Sequence, residues 1–309
     1  MILWSEAEYF VVRTLSELLK NKKMKKIFLT IIAILSLVPQ TEAQEADSIR
    51  IMSYNIWNGL TESPDKRDLF LDFVKDKDPE ILGYQELCTF KQADLEVLAK
   101  EIGHPYAIIC KEDGYPVGIS SKGPITLIEK RIDGYGHGML HVQTYGLDVI
   151  VTHLNPFLVS ERQKQVKNIT DYMQNAGLVD NVIVMGDMNA HSPSDADQLE
   201  LMAKTHPEKT SGGLQEGNYD YSVIAKYLAY PLVDICQKFV EAEYRETYPT
   251  LVFSETEQAR AKRSPNRIDF IMISPNLVEK TYNATIHNHG RADYISDHYP
   301  ISMDMVMIK

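Results

Sequence analysis

Hard oxygen donors, amides and imidazoles recur in this chain at the ends of apolar runs. Asn55 stands in Ser53-Tyr54-Asn55-Ile56-Trp57-Asn58, Glu86 ends Gly83-Tyr84-Gln85-Glu86, and Asp187 and Asn189 lie in Gly186-Asp187-Met188-Asn189. Asp297 and His298 lie in Ser296-Asp297-His298-Tyr299-Pro300, His153 in Thr152-His153-Leu154, and Asp269 in Arg267-Ile268-Asp269-Phe270. Strand ends and the loops after them are where a rigid scaffold can aim reactive groups. Singly, each residue has an ordinary reading: a carboxylate as a helix cap or turn residue, Asn55 as a turn residue, His153 as a core histidine, Asp269 as half of an ion pair with Arg267. Together they offer one Glu, several Asp, two Asn and two His without a cysteine ligand set, which suits Mg²⁺, Mn²⁺ or Ca²⁺ more than zinc. The chemistry open to such a set is hydrolysis of phosphate esters. A divalent cation withdraws charge from the phosphate, a carboxylate positions water in line, and imidazolium groups donate to oxygens where charge rises.

The elements that must hold these residues alternate between short β-type runs and helical stretches. Strands are expected at Ile49–Ile56, Glu80–Gln85, Tyr106–Cys110, Val117–Ser121, Ile125–Ile132, Met139–Tyr145, Leu147–Thr152, Val182–Met185, Arg267–Ile273 and Ile301–Ile308. Asp65–Lys77 carries Leu69, Phe70, Phe73 and Val74 at helical spacing and stops at Asp78-Pro79; Ala93–Ile102 and Ser160–Asn175 are further helices, the last with Ser160 as candidate N-cap. Residues 191–222 are polar and punctuated, with a Gly212-Gly213 pair, and read as a long functional loop. Strand runs both between helices and in series fit two packed sheets with helices outside. With no repeat or linker to divide it, residues 44–309 read as one domain.

The 309 residues carry a net charge of −11, which argues mildly against tight binding to a polyanion. Met24-Lys25-Lys26, the apolar run Ile27–Val38 and the small residues near Thr41-Glu42-Ala43 have the order of a secretory signal, with cleavage before Gln44. The run is short for a bilayer span, although an uncleaved N-terminal anchor is the competing reading. Residues 1–23 precede an otherwise complete signal and read as an upstream extension, with translation starting at Met24. Removing residues 1–43 takes out six basic and four acidic side chains and moves the charge to −13. The expectation is an exported monomer without stable membrane insertion. Cys88, Cys110 and Cys236 form neither a disulfide framework nor a zinc pattern, although one bridge between two of them is open in an oxidising compartment.

Ser-Tyr-Asn, Gln-Glu, Thr-His-Leu, Gly-Asp-Met-Asn, Arg-Ile-Asp-Phe and Ser-Asp-His-Tyr-Pro-Ile, in that order from about Ile49 to Ile308, make the chain resemble the endonuclease/exonuclease/phosphatase superfamily. The resemblance implies an α/β fold (α+β by some schemes): a four-layer α/β/β/α sandwich of two mixed β-sheets with outer helices. It also implies metal-dependent hydrolysis of phosphate esters. Glu86, helped by Asn55, holds the metal in that reading, with Asp297 at the metal or its waters. Asp187 orients or deprotonates the attacking water, Asn189 donates to a phosphate oxygen, His298 binds phosphate or acts as acid/base oriented by Asp269, and His153 contacts the phosphate from the other side. A histidine at position 153 is nearer the deoxyribonuclease and sphingomyelinase branches than the abasic-site endonucleases.

Other residues keep two readings. Arg162 either reaches substrate phosphate or lies on a solvated helix face. Arg260, Lys262, Arg263 and Arg267 form either an anion-binding strip, with Arg263 a substrate contact, or a charged loop. His137 and His141 face either the cleft or solvent, and Asp234 either supports the site or caps a turn. Among substrates, a 5-phosphatase signature is absent, the Pro156-Phe157-Leu158-Val159 segment is short for a membrane-dipping hairpin, and scattered basic residues do not favour duplex DNA. A secreted phosphodiesterase is the main expectation, with a nuclease of DNA or RNA and an inactive phosphate-ligand-binding module as alternatives.

Overall fold

Two strand–helix–strand units form the frame. In the first, β1 (Asp47–Asn55) and β2 (Ile81–Gln85) lie parallel, joined by a crossover that contains α1 (Pro64–Lys77). In the second, β7 (Leu147–His153) and β8 (Val182–Asp187) lie parallel, joined through α3 (Val159–Asn175). A parallel pair needs such a crossover, whereas antiparallel neighbours can be joined by tight turns. The computed structural model describes residues 47–205, 214–215, 218–253 and 266–307. The proposed signal and extension, Arg260, Lys262 and Arg263 lie outside the described residues.

Each unit sits inside a six-stranded mixed sheet. The first sheet runs β13 (Thr281–Ile286), β14 (Ile301–Met307), β1, β2, β4 (Gly118–Ser121), β3 (Tyr106–Ile109). The second runs β11 (Val233–Asp234), β12 (Asp269–Ile273), β8, β7, β6 (Met139–Thr144), β5 (Thr126–Arg131). A small ribbon pairs β9 (Leu214–Gln215) with β10 (Asn218–Tyr219). Further helices include α2 (Gln92–Glu101), α4 (Ala196–Thr205), α5 (Ser222–Ala229) and α6 (Ile235–Phe239). Among the described residues no helix is long and apolar enough to cross a membrane.

Alternation along the strands builds two apolar layers. On β8, Ile183 and Met185 enter the layer between the sheets, while Val182 and Val184 face outward against Val166, Ile169 and Met173 of α3 and Val223 and Tyr227 of α5. Phe70, Phe73 and Val74 of α1 and Leu95 and Leu98 of α2 pack with the first sheet. This is the expected α/β sandwich of two mixed sheets flanked by helices. The sheets meet closely at Gly83, where an added Cβ would lie 2.6 Å from the Met185 side chain.

Several local expectations shift. Ser160 is not the cap of α3: the helix begins at Val159, and the Asn155 side-chain oxygen instead accepts from the amides of Phe157 and Leu158 at 2.9 and 2.8 Å. Residues 191–222 are not one long loop. They contain a helical turn at Pro193–Asp195 and α4, whose Leu199 is buried. The last strands are trimmed, with β12 starting at Asp269 rather than Arg267. The edge strand β13 and helix α5 were hidden by weak or short periodicity. The three cysteines are free.

Candidate active site

Strand register assembles the reactive residues. His153 is paired with Asp187 across β7 and β8, and Asp187 with Asp269 across β8 and β12. Register partners project on the same face, so the three residues form a row across adjacent strands. Gly186 makes the row close: its φ is +144°, and a Cβ there would lie 1.9 Å from the Thr152 carbonyl oxygen. On the other sheet Asn55 is paired with Gln85, which places Glu86 one residue beyond the strand end.

Around Glu86 the backbone is forced into left-handed conformations. Trp57, Asn58 and Glu86 have φ of 46°, 49° and 60°, and strain of this kind gathers where function fixes geometry. It turns the Asn58 amide onto Glu86 Oε2 at 3.0 Å. Asn55, fully buried, donates its amide nitrogen to Glu86 Oε1 at 3.2 Å and to Asp187 Oδ2 at 3.1 Å, joining the two sheets at the site. Its own Oδ1 accepts from the Trp57 amide.

Two carboxylate–imidazole pairs flank Asp187, one of them bringing His298 from the segment before β14 onto Asp269 of β12. His298 Nδ1 lies 2.8 Å from Asp269 Oδ2, and its Nε2 lies 3.7 Å from Asp187 Oδ2. His153 Nε2 lies 3.3 Å from Asp187 Oδ2, while its Nδ1 is buried with no hydrogen-bond partner. The His153 ring rests against His137, centroids 4.4 Å apart. Asp187 also accepts from the Asn189 amide at 2.9 Å, and the Asn189 side chain donates to the Leu154 carbonyl at 3.1 Å.

These contacts set the charges. Burial alone would lower His298, but Asp269, Asp297 and Asp187 raise it well above its ordinary value, and Asp187 similarly raises His153 against burial. Burial would raise Asp187, yet His298 and His153 hold it at about 2. Asp269 is raised by burial, with His298 opposing. Asp297 is pushed up to about 7 by burial; His298 opposes, and Glu86 and Asp187 add to the rise.

A cavity of about 370 Å³ collects Glu86, His153, Arg162, Asp187, Asn189, Asp297 and His298, together with His191, Tyr248, Asn266, Ile268 and Pro156. Asn55 and Asp269 act from behind its wall. Among the described residues the tightest grouping of candidate metal-ligating side chains is Asp187, Asp269 and His298, with ligand atoms within 4.8 Å. That trio already carries a carboxylate–imidazole bond, whereas Glu86 and Asp297 have no basic side chain within ion-pair distance among the described residues. The match to a hard cation is therefore better at Glu86 and Asp297.

Residues 52–298 match the Endonuclease/Exonuclease/phosphatase family. The chain belongs to that family. Members of this family are phosphoester hydrolases, and this chain is one; enzymes of the family generally use divalent metals. Similar solved structures include an AP endonuclease from Archaeoglobus fulgidus (19% identity, 82% of this chain and 98% of that one, TM-score 0.60). The 3′ phosphatase NExo from Neisseria, bound to a product DNA hairpin, aligns at 16% identity over 83% and 99% with TM-score 0.65. A family protein from Bacteroides thetaiotaomicron aligns at 17% over 85% and 99% with TM-score 0.56. These likenesses establish the fold. No curated protein matches the chain.

The remaining candidates divide. Asp269 is not paired with Arg267. Arg267 instead sits buried between Asp195 (2.7 Å) and Asp234 (2.6 Å), tying the turn after Asn189 to the start of β12. Asp234 both meets Arg267 and caps α6 through Gln237. His141 faces neither cleft nor solvent; it is buried between Tyr172 and Asp148. Arg162 is 3% exposed, not solvated. Its place on the apolar face was readable, because Val166, Ile169 and Met173 follow it at helical spacing. Thr247, whose hydroxyl accepts from the amides of Ile268 and Asp269, and the cavity residues His191, Tyr248 and Asn266 were missed. They lie in irregular segments without periodic signal.

Proposed function

We propose that this protein is an exported, divalent-metal-dependent phosphodiesterase that uses an activated water for in-line attack. The observation that carries the reading is the division of charge around one cavity: Asp187 and Asp269 are in contact with His153 and His298, while among the described residues Glu86 and Asp297 have no cation within ion-pair distance, His298 acting on Asp297 only from further off. Glu86, fixed by Asn55 and the Asn58 amide, and Asp297 would hold Mg²⁺, with Mn²⁺ or Ca²⁺ as substitutes. When bound, the cation withdraws charge from the phosphate and stabilises the leaving oxygen.

Asp187 orients the attacking water. A carboxylate held near 2 is a weak proton acceptor, so it takes the proton only as the new P–O bond forms. His298, kept protonated and aimed by Asp269, donates to a non-bridging or leaving oxygen. His153 donates from the opposite side, and the second N–H of the Asn189 amide is available to a phosphate oxygen. Export rests on the basic-apolar-small order of residues 24–43, with the mature chain starting near Gln44 and acting as a monomer.

A nuclease is the second reading, favoured by structural neighbours whose names record action on DNA and opposed by the net charge of −11. A metal-supplemented panel of DNA, RNA, sphingomyelin, inositol phosphates, sugar phosphates and bis(4-nitrophenyl) phosphate tests both. Chelator-sensitive turnover of the synthetic diester is expected. Turnover confined to nucleic acid would replace the first reading with the second, and no turnover of any ester with any of the three metals would remove both. Mass spectrometry of exported material retaining the Met24 segment would replace cleavage with anchoring.

A further inference from the structure

Arg162 lies in the first turn of α3, 3% exposed, on the wall of the cavity that holds His153, Asp187, Asn189 and His298. Arginines are seldom buried this deeply without a carboxylate. Here the guanidinium spends Nη1 on the Asn155 carbonyl at 3.0 Å, and its Nε is buried with no hydrogen-bond partner. Among the described residues no carboxylate lies within ion-pair distance of it. His153 and His298 each have a carboxylate, and under the function proposed above Glu86 and Asp297 are matched by the cation. Arg162 is the charge left over. Asp220 and Asp187 act on it only from beyond ion-pair distance. Keeping a buried guanidinium with no carboxylate in contact is strongly unfavourable, which makes sense if its contact anion arrives with the substrate.

We infer that Arg162 is a substrate-binding residue whose unpartnered edge holds a non-bridging oxygen of the reacting phosphoryl group. A planar guanidinium fork suits phosphate oxygens. Because the charge is present throughout the reaction, it binds ground and transition states alike and acts mainly on KM. The inference rests on the proposed function for the identity of the reacting group, but not for the existence of the anion site.

The experiment compares the wild-type protein with Arg162→Met, Arg162→Lys and Gln165→Met. Gln165 accepts from the Asn155 amide at 2.8 Å, so its replacement loosens the same loop without touching the guanidinium. Inorganic phosphate is titrated calorimetrically with and without Mg²⁺, and steady-state kinetics are measured on bis(4-nitrophenyl) phosphate, which has no second anionic group. Arg162→Met should weaken phosphate binding and raise KM by about tenfold or more, roughly the worth of a hydrogen bond to a charged group, with kcat changed less than about threefold. Arg162→Lys should fall between, and Gln165→Met should keep phosphate affinity. Unchanged phosphate affinity and KM in Arg162→Met, or equal losses in Gln165→Met, overturn the inference, as does a wild-type protein that binds no phosphate. Should Arg162→Met fail to fold, Arg162→Lys carries the test, with wild-type affinity and KM in that variant counting against the fork. Phosphate binding that depends on Arg162 in a protein that hydrolyses no ester would uphold the anion site and sink the proposed function instead.

Discussion

The two strand–helix–strand units are built alike and end differently. β1–α1–β2 ends in Asn55 and Glu86, and β7–α3–β8 ends in His153 and Asp187. In both, parallel neighbours inside an otherwise antiparallel sheet bring two strand ends to one edge. The first unit surrounds its carboxylate with an amide side chain and a backbone N–H and leaves its charge unmatched. The second puts an imidazole on either side of its carboxylate. Backbone geometry is shared; charge balance separates the unit suited to a cation from the unit suited to water. Asn55, donating to both Glu86 and Asp187, keeps the two in register.

Substitutions at the two carboxylates should break this comparison most visibly. Glu86→Gln should lower kcat/KM by several orders of magnitude and recover part of it as Mg²⁺ is raised, because the defect is in holding the cation. Asp187→Asn should lose at least about 10³-fold, with no recovery at any metal concentration. Titrating metal against rate for both variants is the measurement. Equal metal responses would dissolve the distinction between the units.

Asp269 and His298 test whether the imidazoles beside the second unit's carboxylate act as fixed donors. The 2.8 Å contact makes them one device, so His298→Ala should cost about 10²–10⁴-fold and Asp269→Asn much of the same. The double variant should fall little below the worse single one. Additive losses in kcat/KM across the four proteins would take Asp269 out of the catalytic group. A stability effect alone is no longer the natural alternative, because Arg267 is engaged by Asp195 and Asp234 instead.

Sequence order revealed the strand ends, and with them most of the polar residues of the cavity. Asn55, Glu86, His153, Asp187 and Asp297-His298 each follow or precede an apolar run that became a central strand, where pattern and burial agree. Pairing was less legible. The choice between His298 and Arg267 as the partner of Asp269 depends on the approach of a loop 29 residues away, which no local pattern encodes. Thr247 and Tyr248 escaped for the same reason. Their segment is held by backbone bonds to Asn266 and Tyr299 and has no periodicity of its own. His141 was misplaced because its polar partners, Tyr172 and Asp148, come from two other elements.

Asp297 sharpens the comparison through stability. Its folded pKa of about 7 lies above the ordinary 3.8, so the metal-free native state holds the proton more tightly than the unfolded chain. Stability from this group is therefore full below about pH 4, falls as pH rises toward 7, and stays lost above it. At about 1.4 kcal/mol per pKa unit, the loss is on the order of 4 kcal/mol. Asp297→Asn should then melt several degrees higher than the wild type at pH 8 without metal, with the gap closing near pH 4. Saturating Mg²⁺ should shrink or reverse the gap, since only the wild type gains from tight binding. Equal melting temperatures at pH 8 without metal would show that Asp297 is not an unmatched carboxylate.

The smallest expected effect concerns how the two imidazoles are aimed. His298 is oriented by a carboxylate on Nδ1, whereas His153 has no hydrogen bond there and leans on the His137 ring. Burial, with His153 adding, pushes His137 down to about 3, so it is neutral at any working pH and contributes shape rather than charge. Replacing it by Phe keeps a flat ring against His153, and His137→Phe should retain activity within about threefold and an unaltered pH profile between 5 and 9. His137→Ala removes the ring contact, for which about 0.5–1.5 kcal/mol is typical, and should lose roughly two- to tenfold in kcat/KM. A charge or proton-transfer role would abolish that difference, because Phe would then be as damaging as Ala and a limb of the pH profile would disappear. Measuring both variants across that pH range separates an imidazole aimed by packing from one aimed by a titrating neighbour.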